Sequence, residues 1–192
     1  MIKERHKLAT VPERYIYETV DGKPIYYKGW KQALIREIET GKPQEMGSNT
    51  LQGRLIMAIA GILFKAGVDD DYTIVGSEMG LHLGTNDNRC LDLALFDKDI
   101  FKDSKNYADF PPKVVIEVDI QADLGNWEGD EAAYYRNKTE DLLNFGVERV
   151  LWIFTENKQV LVVTSTNDWQ TVSFDTPVEV IDGKTFTVSE LM

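Results

Sequence analysis

A chain of 192 residues, 43% apolar and 28% charged, can bury about 70% of the surface its unfolded form exposes, so a disordered or fibrous protein is excluded. A net charge of −11 argues against non-specific attraction to nucleic acid, which comes from Lys and Arg releasing counterions from phosphates. It does not exclude a nuclease, because a carboxylate cluster that binds Mg2+ would itself add to the negative total.

The N-terminal stretch "MIKERHKLAT" is basic but has no apolar segment behind it, and the longest apolar run, "LIMAIAGILF" at 55–64, is too short to span a bilayer. A soluble, cytoplasmic protein without a membrane partner is expected. The lone Cys90 precludes a disulfide within the chain and fits a reducing compartment, and with only His6 and His82 beside it there is little to build a structural zinc site. One domain is expected, with residues 1–45 forming a hairpin and short helix that belong with a core over 46–192.

In chain order, "YIYETVDGKPIYY" places two aromatic and β-branched runs about Asp21-Gly22, a β-hairpin signal. "KQALIREIETGKP" predicts a short helix stopped by Gly41 and Pro43. Ser48, Asn49 or Thr50 can cap a second helix ending near residue 66 before Gly67; it is apolar almost all round and is predicted to be buried. From residue 72 the period becomes two. "YTIVGSE" and "GLHLG" read as strands, "TNDNR" as a turn and "CLDLALF" at 90–96 as a strand, followed by a polar loop over 97–112.

The strand "KVVIEVDI" follows, then "QADLGNW", a helix over about 128–145 ended by Gly146, and the strand "RVLWIF". Together they predict a βαβ unit with parallel strands. The runs "QVLVVTS", "WQTVSF" and "VEVIDGKTFTV", joined by the turns "TENK", "TND" and "DG", predict an antiparallel extension.

The acids on these strands are anomalous. In "VVIEVDI", strand alternation places Val115, Glu117 and Asp119 on one face and Val114, Ile116, Val118 and Ile120 on the other. Carboxylates at i and i+2 lie about 6.5–7 Å apart. At an effective dielectric near 20 they repel by roughly 2–3 kcal/mol, which calls for a cation or a proton. "CLDLALF" repeats the pattern, with Asp92 standing opposite the Leu91, Leu93 and Leu95 face. A single such acid is ordinarily a solvated strand end; three on neighbouring apolar strands are harder to explain that way. On the following helix, Lys138 falls within the arc of Tyr134, Tyr135, Leu142, Leu143 and Phe145, while Arg136, Asn137, Glu140, Asp141 and Asn144 occupy the other arc. Lys138 either snorkels along the core or aims its ammonium at the carboxylates of the preceding strand.

Asp92, then "EVD" at 117–119, then "NKTEDLLNFGVERVLWIF" at 137–154 resembles the PD-(D/E)XK nuclease superfamily, in particular its bacterial "putative restriction endonuclease" family. "LD" at 91–92, Glu117, Lys138 and "GVERVLWI" follow that family's order and spacing, and "YETVDGKP" is similar to its N-terminal hairpin. The resemblance implies an α/β restriction-endonuclease-like fold with a central mixed sheet flanked by helices. It also implies a Mg2+- or Mn2+-dependent endonuclease acting on DNA, and a homodimer is expected. Asp92, Glu117 and Lys138 would be catalytic, with Asp92, Glu117, Asp119 and the Val118 carbonyl as metal ligands and Gln52 as an accessory polar group. Two departures stand out: Leu91 replaces the motif proline, and Asp119 occupies the usual lysine position.

Asp119 therefore also fits an alternative, a catalytically inactive nuclease-like interaction or regulatory module, dimeric through an apolar patch that could include Trp152 or Trp169. Acid/base work on sugars is a third option. With 32 acids, chance pairs are common, and the inward lysine has no task there.

Overall fold

The computed structural model describes residues 11–164 and 168–192. The basic N-terminal stretch with His6, and most of the turn at 166–168, lie outside the described residues. The chain begins with a hairpin, β1 (Ile16–Val20) and β2 (Lys23–Tyr27), joined through Asp21 and Gly22, which both take positive φ as the predicted turn requires. Helix α1 (Trp30–Thr40) runs between left-handed Gly29 and Gly41. Asn49 caps α2 (Thr50–Lys65), its side chain accepting the Gln52 N–H. After β3 (Tyr72–Gly84), β4 (Asp87–Asp97), β5 (Val114–Val118) and a short β6 (Ala122–Asp123) comes α3 (Glu131–Phe145). Strands β7 (Arg149–Phe154), β8 (Gln159–Thr164), β9 (Trp169–Ser173), β10 (Val178–Ile181) and β11 (Lys184–Phe186) complete the order.

Strands β6-β2-β1-β4-β5-β7-β8-β9 form a mixed sheet to which β3 is added beside β4. The β5–α3–β7 unit is parallel as expected, and every other pairing in the sheet is antiparallel. Helix α2 covers one face, packing Leu55, Ile59 and Leu63 on Leu93, Leu95, Ile116 and Leu151. Helix α3 covers the other, where Tyr134 and Leu142 meet Ala94, Val115, Val150 and Trp152. Each such fully buried aliphatic side chain contributes about 1.5–3 kcal/mol. The sheet is therefore apolar on both faces, and polar residues within it must be compensated locally.

Several expectations need correction. The strands read as "YTIVGSE" and "GLHLG" are one 13-residue strand, β3, interrupted by a bulge. Strands β10 and β11 form a separate two-stranded sheet instead of extending the main one, because Val178, Val180 and Phe186 cover the core under α2. Helix α2 is not buried all round: Leu51, Met57 and Phe64 are exposed. Helix α3 starts later than residue 128, at Glu131, because the Asp130 side chain caps it at the Ala133 N–H. Among the described residues, no helix is long and apolar enough to cross a membrane.

Candidate functional site

The β4–β5 register, ending at Leu93↔Ile116, brings Asp92 and Glu117 next in line across the two strands. The Val118 N–H donates to Asp92 Oδ2 at 2.7 Å. Lys138 descends from α3 onto this point and is wholly buried, as the helical arc predicted. Its Nζ lies 3.1 Å from Glu117 Oε1, 2.8 Å from Glu18 Oε1, and donates to the Cys90 carbonyl at 2.6 Å. The rings of Tyr17 and Trp152 stand 5.5 Å from the same ammonium. An ordinary snorkelling lysine would reach water; this one has every contact inside the protein.

Glu18 and Arg89 complete the network and were not foreseen. Glu18, on β1, accepts from Arg89 Nη1 at 3.0 Å, Tyr134 Oη at 2.8 Å and the Cys90 N–H at 3.1 Å, besides pairing with Lys138. Arg89 bonds in turn to Asn137 Oδ1 at 2.6 Å and to Asp141, so two residues assigned to the solvent arc of α3 buttress the site from its edge. The turn expected over "TNDNR" is shorter than its residue types suggest: β4 begins at Asp87, which places Arg89 inside the strand. The available signal for Glu18 was the same one that marked Asp92 and Glu117: a carboxylate inside an aromatic and β-branched strand.

Burial raises the pKa of Glu18, but Lys138 and Arg89 outweigh it, and the carboxyl ends below its usual range. Glu117 shares only Lys138, and burial holds it well above that range, with Asp92 and Glu18 adding to the shift. Burial also raises Asp92, against the pull of the Val118 N–H, Lys138 and Gln52. The Lys138 ammonium is disfavoured by burial, but Glu117 and Glu18 more than offset this and keep it charged.

Gln52, on α2, donates both its bonds from Nε2 to Asp92, at 3.1 and 3.0 Å. Its Oε1 is buried without a hydrogen bond. Among the described residues, the buried charges are three carboxylates (Glu18, Asp92, Glu117) and two cations (Arg89, Lys138), and no cation lies within ion-pair distance of Asp92. Asp92 is thus buried without a cation of its own, beside the unpartnered Gln52 Oε1. No three His, Cys, Asp or Glu side chains among the described residues could hold a metal by themselves. A hard cation such as Mg2+ needs only one or two carboxylates, with neutral oxygens and water in its remaining positions. The residues present fit such an ion.

Asp119 does not join them. Strand β5 ends at Val118, and Asp119 turns out of it with φ 55°. Its carboxylate accepts from the Thr155 N–H at 2.8 Å and the Thr155 hydroxyl at 2.7 Å, fixing the end of β7. Alternation assigned Asp119 to the Glu117 face only because the strand was taken to continue. Trp152 is likewise no surface residue: it is buried, donating from Nε1 to Thr139 at 2.9 Å. Trp169 is half-buried beneath Arg136.

The fold is similar to that of a nuclease of the DUF820 family from Anabaena variabilis ATCC 29413, described as putative, with a TM-score of 0.64 over 95% of this chain and 92% of that one, at 13% identity. No curated protein matches the chain. The family model described as "Uma2: Putative restriction endonuclease" matches residues 27–191, a span that holds Gln52, Asp92, Glu117 and Lys138. The chain adopts a nuclease-like α/β fold and belongs to the Uma2 family of restriction-endonuclease-like proteins.

Proposed function

We propose that the protein is a divalent-metal-dependent endonuclease that hydrolyses DNA phosphodiester bonds at the Asp92–Glu117–Lys138 site. The observation that carries this reading is the wholly buried Lys138 ammonium 3.1 Å from Glu117, on the strand beside an Asp92 that has no cation of its own. A Mg2+ or Mn2+ ion held by Asp92 and Glu117, with the Val118 carbonyl and Gln52 Oε1 as neutral donors, would supply Lewis acidity toward the phosphate and toward the attacking water.

The protein's own groups do the rest. The Val118 N–H and Gln52 Nε2 fix the orientation of the Asp92 carboxylate. Glu18 and the Cys90 carbonyl hold Lys138 charged and in place, and Arg89 keeps Glu18 ionised. With its three N–H donors held by Glu18, Glu117 and the Cys90 carbonyl, Lys138 would act through its charge, favouring the ionised Glu117 and the charge developing on the phosphate. Glu117, whose carboxyl burial holds above its usual range, would serve as a ligand in its ionised form.

Plasmid and single-stranded DNA incubated with Mg2+ or Mn2+ test this directly. The wild type should nick or cut, while Glu117→Ala and Lys138→Ala should lose at least about 10^2-fold in rate, the scale of removing one preorganised electrostatic group. Equal cleavage by all three proteins would remove the site from the reaction.

An interaction module dimerising through helices α1 and α2 is the second reading, favoured by exposed Ile35, Ile38, Leu51, Met57 and Phe64. It predicts no cleavage under any of these conditions and a dimer in sedimentation that Met57→Glu dissociates.

A further inference from the structure

A cavity of about 300 Å³ lies where the β1–β2 hairpin, the start of α1, the segment after β6 and helix α3 meet. That volume is at the low end for small-ligand pockets. Three half-buried aromatic side chains line it: Tyr26, Trp30 and Trp127. The Tyr26 and Trp30 rings are 4.7 Å apart and tilted by 32°.

The polar lining offers both donors and acceptors. Asn137 accepts from Arg89 through Oδ1 at 2.6 Å, which leaves its amide nitrogen uncommitted among the described residues. Trp127 Nε1 is buried without a hydrogen-bond partner, although a buried indole N–H ordinarily finds an acceptor. Asp21, Asp123 and Glu128 supply carboxylates, and Lys23 a cation. Even with Lys31 at 3.7 Å from Asp123, three acids face two cations, a balance that disfavours a phosphate inside the cavity. A flat, neutral heteroaromatic ring that bears an amino group and a ring acceptor suits all of these features. Its face meets the aromatic side chains, its amino group a carboxylate, and its ring nitrogen or carbonyl an N–H of Asn137 or Trp127.

The cavity wall is continuous with the network around Lys138. Asn137 precedes Lys138 on α3 and holds Arg89, which pairs with Glu18 at 3.0 Å. The Trp127 ring stands edge-on to Tyr134, 5.6 Å between centroids, and the Tyr134 hydroxyl donates to Glu18 at 2.8 Å. Glu18 in turn pairs with Lys138.

We propose that this cavity receives an unpaired, amino-bearing nucleobase of the DNA strand, thymine being disfavoured because it lacks an exocyclic amino group. Only the source of the base, a DNA strand, rests on the nuclease reading above. Trp30 and Trp127 are the stacking residues, and Asn137 and Asp123 read the edge of the base. Single strands bind better than duplex, because no base has to be unstacked and unpaired to enter.

Binding is measured on the full chain in EDTA, so that cleavage does not intervene. Deoxyadenosine, deoxycytidine and thymidine are followed by calorimetry, and labelled single strands of the same bases by anisotropy. Urea unfolding checks the fold of Trp30→Leu, Trp127→Leu and Asn137→Asp, the last of which keeps an oxygen for Arg89 and removes the amide donor. Expected is saturable binding of deoxyadenosine and deoxycytidine at least about fivefold tighter than thymidine, with the same order among strands. Losing either ring weakens binding about 10- to 100-fold, and Asn137→Asp weakens it about fivefold, at unchanged stability. No saturable binding of any nucleoside, or wild-type affinity in both ring variants, overturns the pocket; if Trp127→Leu does not fold, Trp30→Leu decides. Nucleosides that bind while strands do not, or strands whose affinity the variants leave unchanged, overturn the DNA source in favour of a free nucleotide. Base binding by a wild type that cleaves nothing with Mg2+ or Mn2+ overturns the nuclease reading and leaves the pocket, and cleavage without base binding does the reverse.

Discussion

Replacing Lys138 by Met should destabilise the metal-free protein strongly and in a pH-dependent way. The substitution keeps the stem's volume and removes a charge shared by Glu18, at 2.8 Å, and Glu117, at 3.1 Å, all three fully buried. Glu18 retains Arg89, Tyr134 and the Cys90 N–H, so the loss falls mainly on Glu117, which has no other cation. Breaking a buried pair in this way costs about 3–5 kcal/mol. For a chain of this size each kcal/mol lowers Tm by about 2–4 °C, giving a drop of about 6–20 °C near pH 8.

Glu117 can limit that loss by taking up a proton. Its folded-state pKa is already raised by burial against an ordinary value of 4.5, and Lys138 is the main group lowering it. Without the lysine, the folded carboxyl holds its proton to higher pH. An acid with a raised folded pKa contributes its full stability below the unfolded value and loses it as pH rises through the folded value. The difference between wild type and Lys138→Met should therefore be small near pH 5 and grow toward pH 8. Urea and thermal unfolding with EDTA present, at pH 5 and pH 8, measure this. A variant as stable as the wild type at both pH values would refute the buried triad.

Cation binding should tighten as pH rises, because both Asp92 and Glu117 have raised pKa values and the ion must displace their protons. Calorimetry in buffers of different ionisation enthalpy should report proton release on Mn2+ binding that grows as pH falls; pH-independent affinity without release would contradict the raised carboxyls. Asp119→Asn should leave Mn2+ affinity unchanged and lower stability by no more than about 1–2 kcal/mol, the scale of its hydrogen bonds to Thr155. A large loss of affinity would return Asp119 to the metal site.

The residues that sequence reasoning found are those whose local pattern is violated by a single side chain. Asp92 and Glu117 interrupt apolar strands, and Lys138 interrupts an apolar helical arc, so each appears as a charge where burial is expected. Glu18 meets the same criterion, but the hairpin was read for its turn, and the register shift between Ile16 and Glu18 buries Tyr17 and Glu18 together where alternation would separate them. The bulge at Ser77-Glu78 had the same effect, splitting one strand into two in the reading. Asp119 was misplaced because nothing in "VVIEVDI" marks the left-handed turn, a conformation that Asp tolerates better than most residues. Helix α2 was taken as buried because composition reports apolarity but not what lies against each side; Met57 and Phe64 face away from the sheet.

The most direct test of the central claim is anomalous diffraction from crystals of the protein soaked in Mn2+. The ion should appear between the Asp92 and Glu117 carboxylates, within about 2–2.3 Å of an oxygen from each, and vanish in Glu117→Gln. Fully occupied crystals with no ion there, or with manganese only at surface acids remote from Lys138, would contradict the account.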